Sequence, residues 1–148
     1  MQSQLRWCST DGRPTLVLTL RIHTDANRLS QVIANLLSNA VKFSPRGQEV
    51  VATLEASNDR VWIAVRDHGP GIPHEFKDRI FEKFVQVDAS DARQRGGTGL
   101  GLSIVKRLMI RLGGDVSHSA AQDGGTIFRI DLPRGDIRAT TDCYRAAV

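Results

Sequence analysis

Four glycines, Gly96, Gly97, Gly99 and Gly101, fall within six positions at the entrance of an apolar-periodic run that extends to Leu112. Glycine in a helix costs about 1 kcal/mol relative to alanine, so its clustering here does not serve helix stability. Bare backbone N–H groups at the positive end of a helix dipole make an anion site, and phosphate is the anion they suit. The spacing matches neither G-x-x-x-x-G-K-[ST] nor G-x-G-x-x-G. A purely structural loop needs one or two glycines rather than four.

Two more groups of residues carry chemistry. Asn35, Asn39 and Lys42, spaced by four and three, form one stripe on a helix, nearly opposite its apolar side. Asparagine is a poor helix former. Its amide carbonyl is a hard oxygen ligand suited to Mg²⁺, which takes few protein groups and keeps its waters and phosphates. Lys42 would meet the same phosphates as a point charge. A solvated helix face would use the same three residues. In "RDHGPGI" (66–72), Asp67 ends a strand and is followed by Gly69 and Gly71. A carboxylate there can accept from an exocyclic amine, and the glycines let a flat ring approach the backbone. A plain turn has the same composition.

The elements that must position these groups follow from periodicity. "TLVLTLRI" (15–22) reads as a strand. From Asp25 to Phe43 the apolar residues Leu29, Val32, Ile33, Leu36, Leu37, Ala40 and Val41 predict an amphipathic helix. Thr24 or Asp25 would cap it and Ser44-Pro45 would stop it. "EVVATLEA" (49–56) and "RVWIAVRD" (60–67) predict two strands joined at "SND", and "HEFKDRIFEKF" (74–84) a shorter helix. Residues 85–98 are polar and without apolar periodicity, as expected of a mobile loop. The helix from Leu100 is closed by Gly113-Gly114, and "DVSHSA" and "TIFRIDLP" are the last strands. Residues 134–148 show no pattern.

At 148 residues, 41% hydrophobic and 24% charged, the chain has the size and composition of one soluble globular domain. It has no apolar run near the roughly 20 residues of a membrane helix and no signal-peptide pattern. Cys8 and Cys143 sit near opposite ends, outside any metal spacing, and read as free thiols of a reducing compartment. The net charge of +4 favours anionic partners. The basic residues are scattered and aromatics few, which argues against nucleic acid.

Taken in order, "NLLSNAVKF" (35–43), "DHGPGI" (67–72), "FEKF" (81–84), "GGTGLGLSIVK" (96–106) and "GGTIF" (124–128) resemble the five boxes of the bacterial sensor histidine kinase ATP-binding domain. The resemblance covers residues 15–133, with 1–14 a lead-in and 134–148 a tail or linker. It implies a Bergerat-type α/β (α+β) two-layer sandwich, with a mixed, mostly antiparallel sheet and about three helices on one face. It also implies ATP and Mg²⁺ as cofactors. Carried over by position, Asn39 would be the Mg²⁺ ligand, and Asn35 and Lys42 would line the phosphates. Asp67 would hold the adenine amino group, with Gly69 and Gly71 admitting the purine. Phe81 and Phe84 would anchor the hinge of a lid at 85–98, poorly ordered without nucleotide, and Arg93 would reach the γ-phosphate. Gly97, Gly99, Leu100 and Gly101 would offer N–H groups to the phosphates, and Ile72, Thr98, Leu102 and Thr126 complete the ATP-contacting set.

The chain departs from the family at His68, where Asn or Thr is frequent, and at Phe43, where Tyr is common. No H-E/D-x-x-[TN]-P acceptor box accompanies His23, His68, His74 or His118. His74 reads as an exposed helix-start residue, and His23 and His118 as strand-edge residues without a supporting motif. The chain is therefore expected to be a catalytic domain excised from a longer kinase, or one part of a split protein, monomeric alone and unable to phosphorylate itself. Its partners would be the dimerisation and histidine-phosphoacceptor domain of that kinase and a response regulator receiver domain. It would touch neither nucleic acid nor membrane, and would lie in the cytoplasm as part of a membrane-anchored sensor. Hydrolytic and serine-phosphorylating relatives of the fold carry a general-base Glu one turn before the metal asparagine. That position is Asn35, which cannot take a proton. The non-enzymatic alternative is a degenerate nucleotide-sensing interaction module. A dinucleotide-binding enzyme fits less well, for want of the G-x-G-x-x-G unit.

Overall fold

The computed structural model describes residues 22–85 and 99–135. Helix α1 spans Ala26–Phe43. It starts where the Asp25 carboxylate accepts the N–H groups of Asn27 and Arg28, both at 3.1 Å, satisfying two donors that have no partner within the helix. Leu29, Val32, Leu36 and Ala40 are its buried stripe, and Val41, at 67% exposed, falls outside it. The chain leaves the helix at Ser44, which is extended ahead of Pro45. Helix α2 spans Gly101–Arg111, buries Val105 and Met109, and is followed by Gly113 at φ +72°, the left-handed turn that ends many helices.

Strands β1 (Val51–Ala56), β2 (Arg60–Arg66), β3 (Asp115–Ala120) and β4 (Thr126–Pro133) form one sheet in the order β1-β2-β4-β3. Every neighbouring pair is antiparallel. Strict alternation puts Val61, Ile63 and Val65 of β2 beside Phe128, Ile130 and Leu132 of β4 on one face. Both helices pack on that face, and the core of the domain lies between the two layers. The opposite face carries Trp62 beneath the Arg129 guanidinium, 5.2 Å from its ring centroid.

Every pairing among the four described strands is antiparallel, and of the strand expected at 15–22 only Ile22 is described, half-buried against the core. Two expectations are revised. The helix expected over 74–84 is a single 3-10 turn, His74–Phe76, followed by turns through Phe84. Pro73 supplies no side-chain cap. Ile80 is buried and Phe81 packs on the core, while Phe84 has φ +63°, which a right-handed helix excludes. Tertiary anchoring here overrides a spacing that looks helical. Two α-helices, not about three, therefore cover the sheet among the described residues.

Candidate functional site

β2 ends at Arg66, and the next residue, Asp67, is only 4% exposed. A buried carboxylate needs partners, and this one has them in the backbone. Its Oδ1 accepts the N–H of Gly69 and the N–H of Thr126, both at 2.9 Å, while its own N–H donates to the Thr126 carbonyl at 2.9 Å. Among the described residues nothing donates to Oδ2, which stays available to a donor from outside. Thr126, buried at the start of β4, thus locks Asp67 from the neighbouring strand.

Two glycines make this corner possible. A Cβ on Gly125 would lie 2.1 Å from the Asp67 carbonyl oxygen, and the residue holds φ +90°. A Cβ on Gly69 would come within 3.0 Å of the Phe43 carbonyl oxygen and 3.2 Å of Asp67 Oδ1. Gly71 is left-handed at φ +83°, and Ile72 beyond it packs against the core. The loop is fastened to the end of α1: the His68 N–H donates to Ser44 Oγ at 3.1 Å, and His68 Nδ1–H donates to the Glu49 carbonyl at 2.9 Å.

The second half of the site lies where α2 begins. Asn35, Asn39 and Lys42 are half-buried on α1. Asn35 Nδ2 donates to the Gln31 carbonyl at 2.9 Å, so its Oδ1 is the end left to bind. A Cβ on Gly101 would meet that Oδ1 at 3.4 Å and the Asn39 amide at 3.8 and 3.9 Å. The first residue of α2 therefore abuts the asparagine stripe. No side chain caps α2, no acidic residue occupies its first turn, and Ser103 Oγ donates backwards to the Leu100 carbonyl at 2.9 Å. The leading N–H groups of the helix, at Gly101 and Leu102, carry the positive end of its dipole with no opposing side chain among the described residues. Lys42 Nζ lies 5.2 Å from the Phe43 ring centroid.

Gly99 precedes this helix at φ +65°, and its carbonyl accepts the N–H of Phe84 at 3.1 Å. Phe84 itself is 72% exposed, whereas Phe81 packs between His118 and Phe128, with ring centroids 5.9 and 6.4 Å away. Residues 84 and 99 are thus joined across the expected loop. Arg93, Gly97 and Thr98 lie outside the described residues.

Sequence reasoning passed over Gly125, although the glycine pair ahead of β4 was visible as part of "GGTIF". It also gave His118 no role. His74 is exposed at the start of its turn, and His23 is exposed before α1. Among the described residues no group of three or more His, Cys, Asp or Glu could hold a metal ion, and no helix is long and apolar enough to cross a membrane.

Residues 24–136 match the family model described as "Histidine kinase-, DNA gyrase B-, and HSP90-like ATPase". The chain belongs to that family. It is 44% identical over 122 residues to the autoinducer 2 sensor kinase/phosphatase LuxQ of Vibrio harveyi, covering 79% of this chain and 14% of the relative. With the aerobic respiration control sensor protein ArcB of Escherichia coli (strain K12) it shares 34% identity over 143 residues, covering 96% of this chain and 18% of ArcB. Among solved structures it is similar to the mycobacterial sensor histidine kinase MprB, at TM-score 0.69 and 34% identity over 78% of each chain. The catalytic domain of histidine kinase ThkA is similar at TM-score 0.68 and 31% identity, over 78% of this chain and 73% of that one. The chain thus spans less than a fifth of these curated relatives. Within the family it is the ATP-binding catalytic domain of the histidine-kinase type.

Proposed function

We propose that this domain binds Mg²⁺·ATP between Asp67 and the start of α2 and transfers the γ-phosphoryl group to a histidine on a separate dimerisation and phosphoacceptor domain. One observation carries the reading: α1 joins both ends of the site. Its Asn35 and Asn39 face Gly101, and its C-cap Ser44 holds the Asp67 loop through His68. Asn39 and Phe43 are one turn apart, about 6 Å along the helix axis. Base and phosphate contacts thus share one rigid element.

In this reading Asp67 Oδ2 accepts the exocyclic amine of adenine, and the bare backbone at Gly69 and Gly71, next to Ile72 and Thr126, admits the ring. The N–H groups from Gly99 through Leu102 and the Lys42 ammonium meet the phosphates. The Asn39 amide oxygen is a hard donor that suits Mg²⁺, with Asn35 beside it. The metal, when bound, offsets phosphate charge and helps align the transferred group. By the family resemblance Arg93 would reach the γ-phosphate, Gly97 would offer its N–H to the phosphates, and Thr98 would join the ATP-contacting set.

Transfer forms a bond from an acceptor imidazole nitrogen to the γ-phosphorus and breaks the bond to the bridging oxygen, leaving ADP. The attacking nitrogen of a neutral imidazole already carries a lone pair, so no general base is required. Asn35 is consistent with that chemistry, because an amide cannot serve as the base a hydrolase or serine kinase needs. The domain's task is positioning and charge neutralisation. The unit proposed to carry this activity is 15–133, monomeric by itself, in the cytoplasmic part of a sensor whose phosphohistidine supplies a response regulator receiver domain.

Calorimetric titration with a non-hydrolysable ATP analogue, with and without Mg²⁺, tests the reading. Micromolar, Mg²⁺-assisted binding is expected in the wild type. Asp67→Asn is expected to weaken it roughly 10- to 100-fold, the size of a lost hydrogen bond to a charged group, with the fold intact because an amide Oδ1 still accepts both backbone donors. No binding at millimolar nucleotide would give the lead to an interaction module without kinase activity.

A further inference from the structure

Residues 77–84 lead from the 3-10 turn to the Phe84–Gly99 junction, and they do not hold their own shape. Among the described residues their local backbone bonds amount to isolated turns, Arg79 N–H to the carbonyl of Phe76 in the preceding turn and Glu82 N–H to the Arg79 carbonyl. Apart from the exposed Arg79–Glu82 ion pair at 3.1 Å, what holds them is outside the segment. Ile80 is buried, Phe81 rests on the core, and Phe84 donates to Gly99. At the segment's start, His118 Nε2 lies 3.0 Å from the Lys77 carbonyl oxygen.

We propose that His118 is a positioning residue for nucleotide binding: its hydrogen bond to Lys77 sets where residues 77–84 lie, and through Phe84 and Gly99 it sets the start of α2. The inference rests on the site proposed above. A carbonyl only accepts, so Nε2 carries the proton; the neutral Nε2–H tautomer and the imidazolium both keep the bond. The side chain is half-buried on the helix-facing side of β3, opposite Phe128 in register. Its ring packs against Phe81 at 5.9 Å and Phe128 at 6.2 Å between centroids. Lys106 of α2 reaches the other partner, with Nζ 5.8 Å from the Phe81 centroid, and pairs with Asp115 at the start of β3. Packing alone would be met by an apolar residue here, as Val116 meets it two positions earlier. The imidazole adds a donor aimed at a backbone carbonyl of a segment that lacks regular bonds.

Lys77 is fastened to β3; Phe81 is gripped by His118, Phe128 and Lys106; Phe84 N–H fixes the Gly99 carbonyl; and Gly99 precedes the uncapped turn that faces Asn35. A loosened Lys77 end moves the Phe84–Gly99 junction without touching the core under α1.

The test compares wild type, His118→Leu, which keeps bulk and loses the donor, and His118→Gln, whose amide N–H can reach the same carbonyl. Amide exchange without nucleotide is the first measurement. His118→Leu is expected to lose protection at Phe84 while Val65 and Ile130 amides keep theirs, showing an intact fold. Titration with the ATP analogue is the second. The Leu variant is expected to bind about fivefold more weakly, the worth of one ordinary hydrogen bond, and the Gln variant within twofold of wild type. Unchanged Phe84 exchange in a folded Leu variant would overturn the proposal, as would a Gln variant as impaired as Leu. Because exchange is read without nucleotide, a wild type that binds no ATP would overturn the site assignment and leave the positioning of Phe84 separately answered.

Discussion

At the end of the site proposed to take the base, one oxygen of Asp67 takes two backbone N–H bonds and Gly125 admits the Asp67 carbonyl at a distance no side chain tolerates. At the phosphate end, the first N–H groups of α2 are uncapped, and the amides of Asn35 and Asn39 face Gly101 at van der Waals distance. The Asp67 corner is fixed by backbone bonds, and among the described residues its Oδ2 has no donor. At the end proposed to take phosphate, no described side chain caps the helix start, and its donors and dipole suit an anion. A finished corner contributes selectivity without reorganisation, whereas an unfinished helix start contributes affinity that scales with ligand charge.

The largest expected effect tests the finished corner. Gly125→Ala must move the Asp67 backbone and strain a left-handed residue, so it should cost about 3 kcal/mol or more of stability by urea denaturation. A loss under about 1 kcal/mol would mean that the corner yields and that the contrast between the ends is weak. Asp67→Asn, described above, comes next, and sharpens the comparison by changing binding without changing the fold.

Gly101→Ala probes the opposite end and should split stability from binding. Its Cβ would meet Asn35 and Asn39 at ordinary contact distances, so the fold should be unchanged or gain up to about 1 kcal/mol from helix propensity. The same methyl occupies the cradle, and affinity for the ATP analogue should fall several-fold in calorimetry. Equal effects on both readouts would erase the distinction drawn here.

The smallest effect concerns the tie between α2 and β3. The Lys106 ammonium, through its hydrogen bond, and the Val116 N–H hold the Asp115 carboxyl below its ordinary value. A lowered carboxyl stabilises the fold above its ordinary value and ceases to do so as pH falls through the lowered one. Asp115 is 66% exposed, so solvent screening keeps the contribution under about 1 kcal/mol. Lys106→Ala should therefore lose a fraction of a kcal/mol at pH 7 and less in strong acid, where only its contact with Phe81 is left to lose, as read by urea midpoints across pH.

Much of this was legible in the sequence where local signals agreed. The α1 stripe from Leu29 to Ala40, bounded by Asp25 and Ser44-Pro45, predicts the helix almost to the residue because cap, period and stop coincide. Strands β3 and β4 fall where alternation and turn residues put them. The 74–84 segment was misread because Phe76, Ile80 and Phe84 are spaced like a helix, while long-range contacts of Ile80 and Phe81 decide its path. Asp67 could be singled out from its strand-end position, but its lock by Thr126 joins residues 59 apart in sequence, a separation no local pattern spans. Gly125 and His118 escaped for the same reason: their roles are contacts with Asp67 and Lys77, set by strand pairing and packing rather than by neighbours in the chain.

Asp67 Oδ2, to which no described residue donates, would discriminate between nucleobases. In the proposed binding mode it is an acceptor fixed in a buried corner, and it cannot turn away, because its twin oxygen is held by Gly69 and Thr126. Guanine presents a carbonyl where adenine presents an amine, so GTP would set acceptor against acceptor with no rotation to relieve it. A site built to pair with one such group typically rejects the analogue lacking it by orders of magnitude. The same two backbone bonds that keep the corner folded would make the domain deaf to the guanine nucleotide pool.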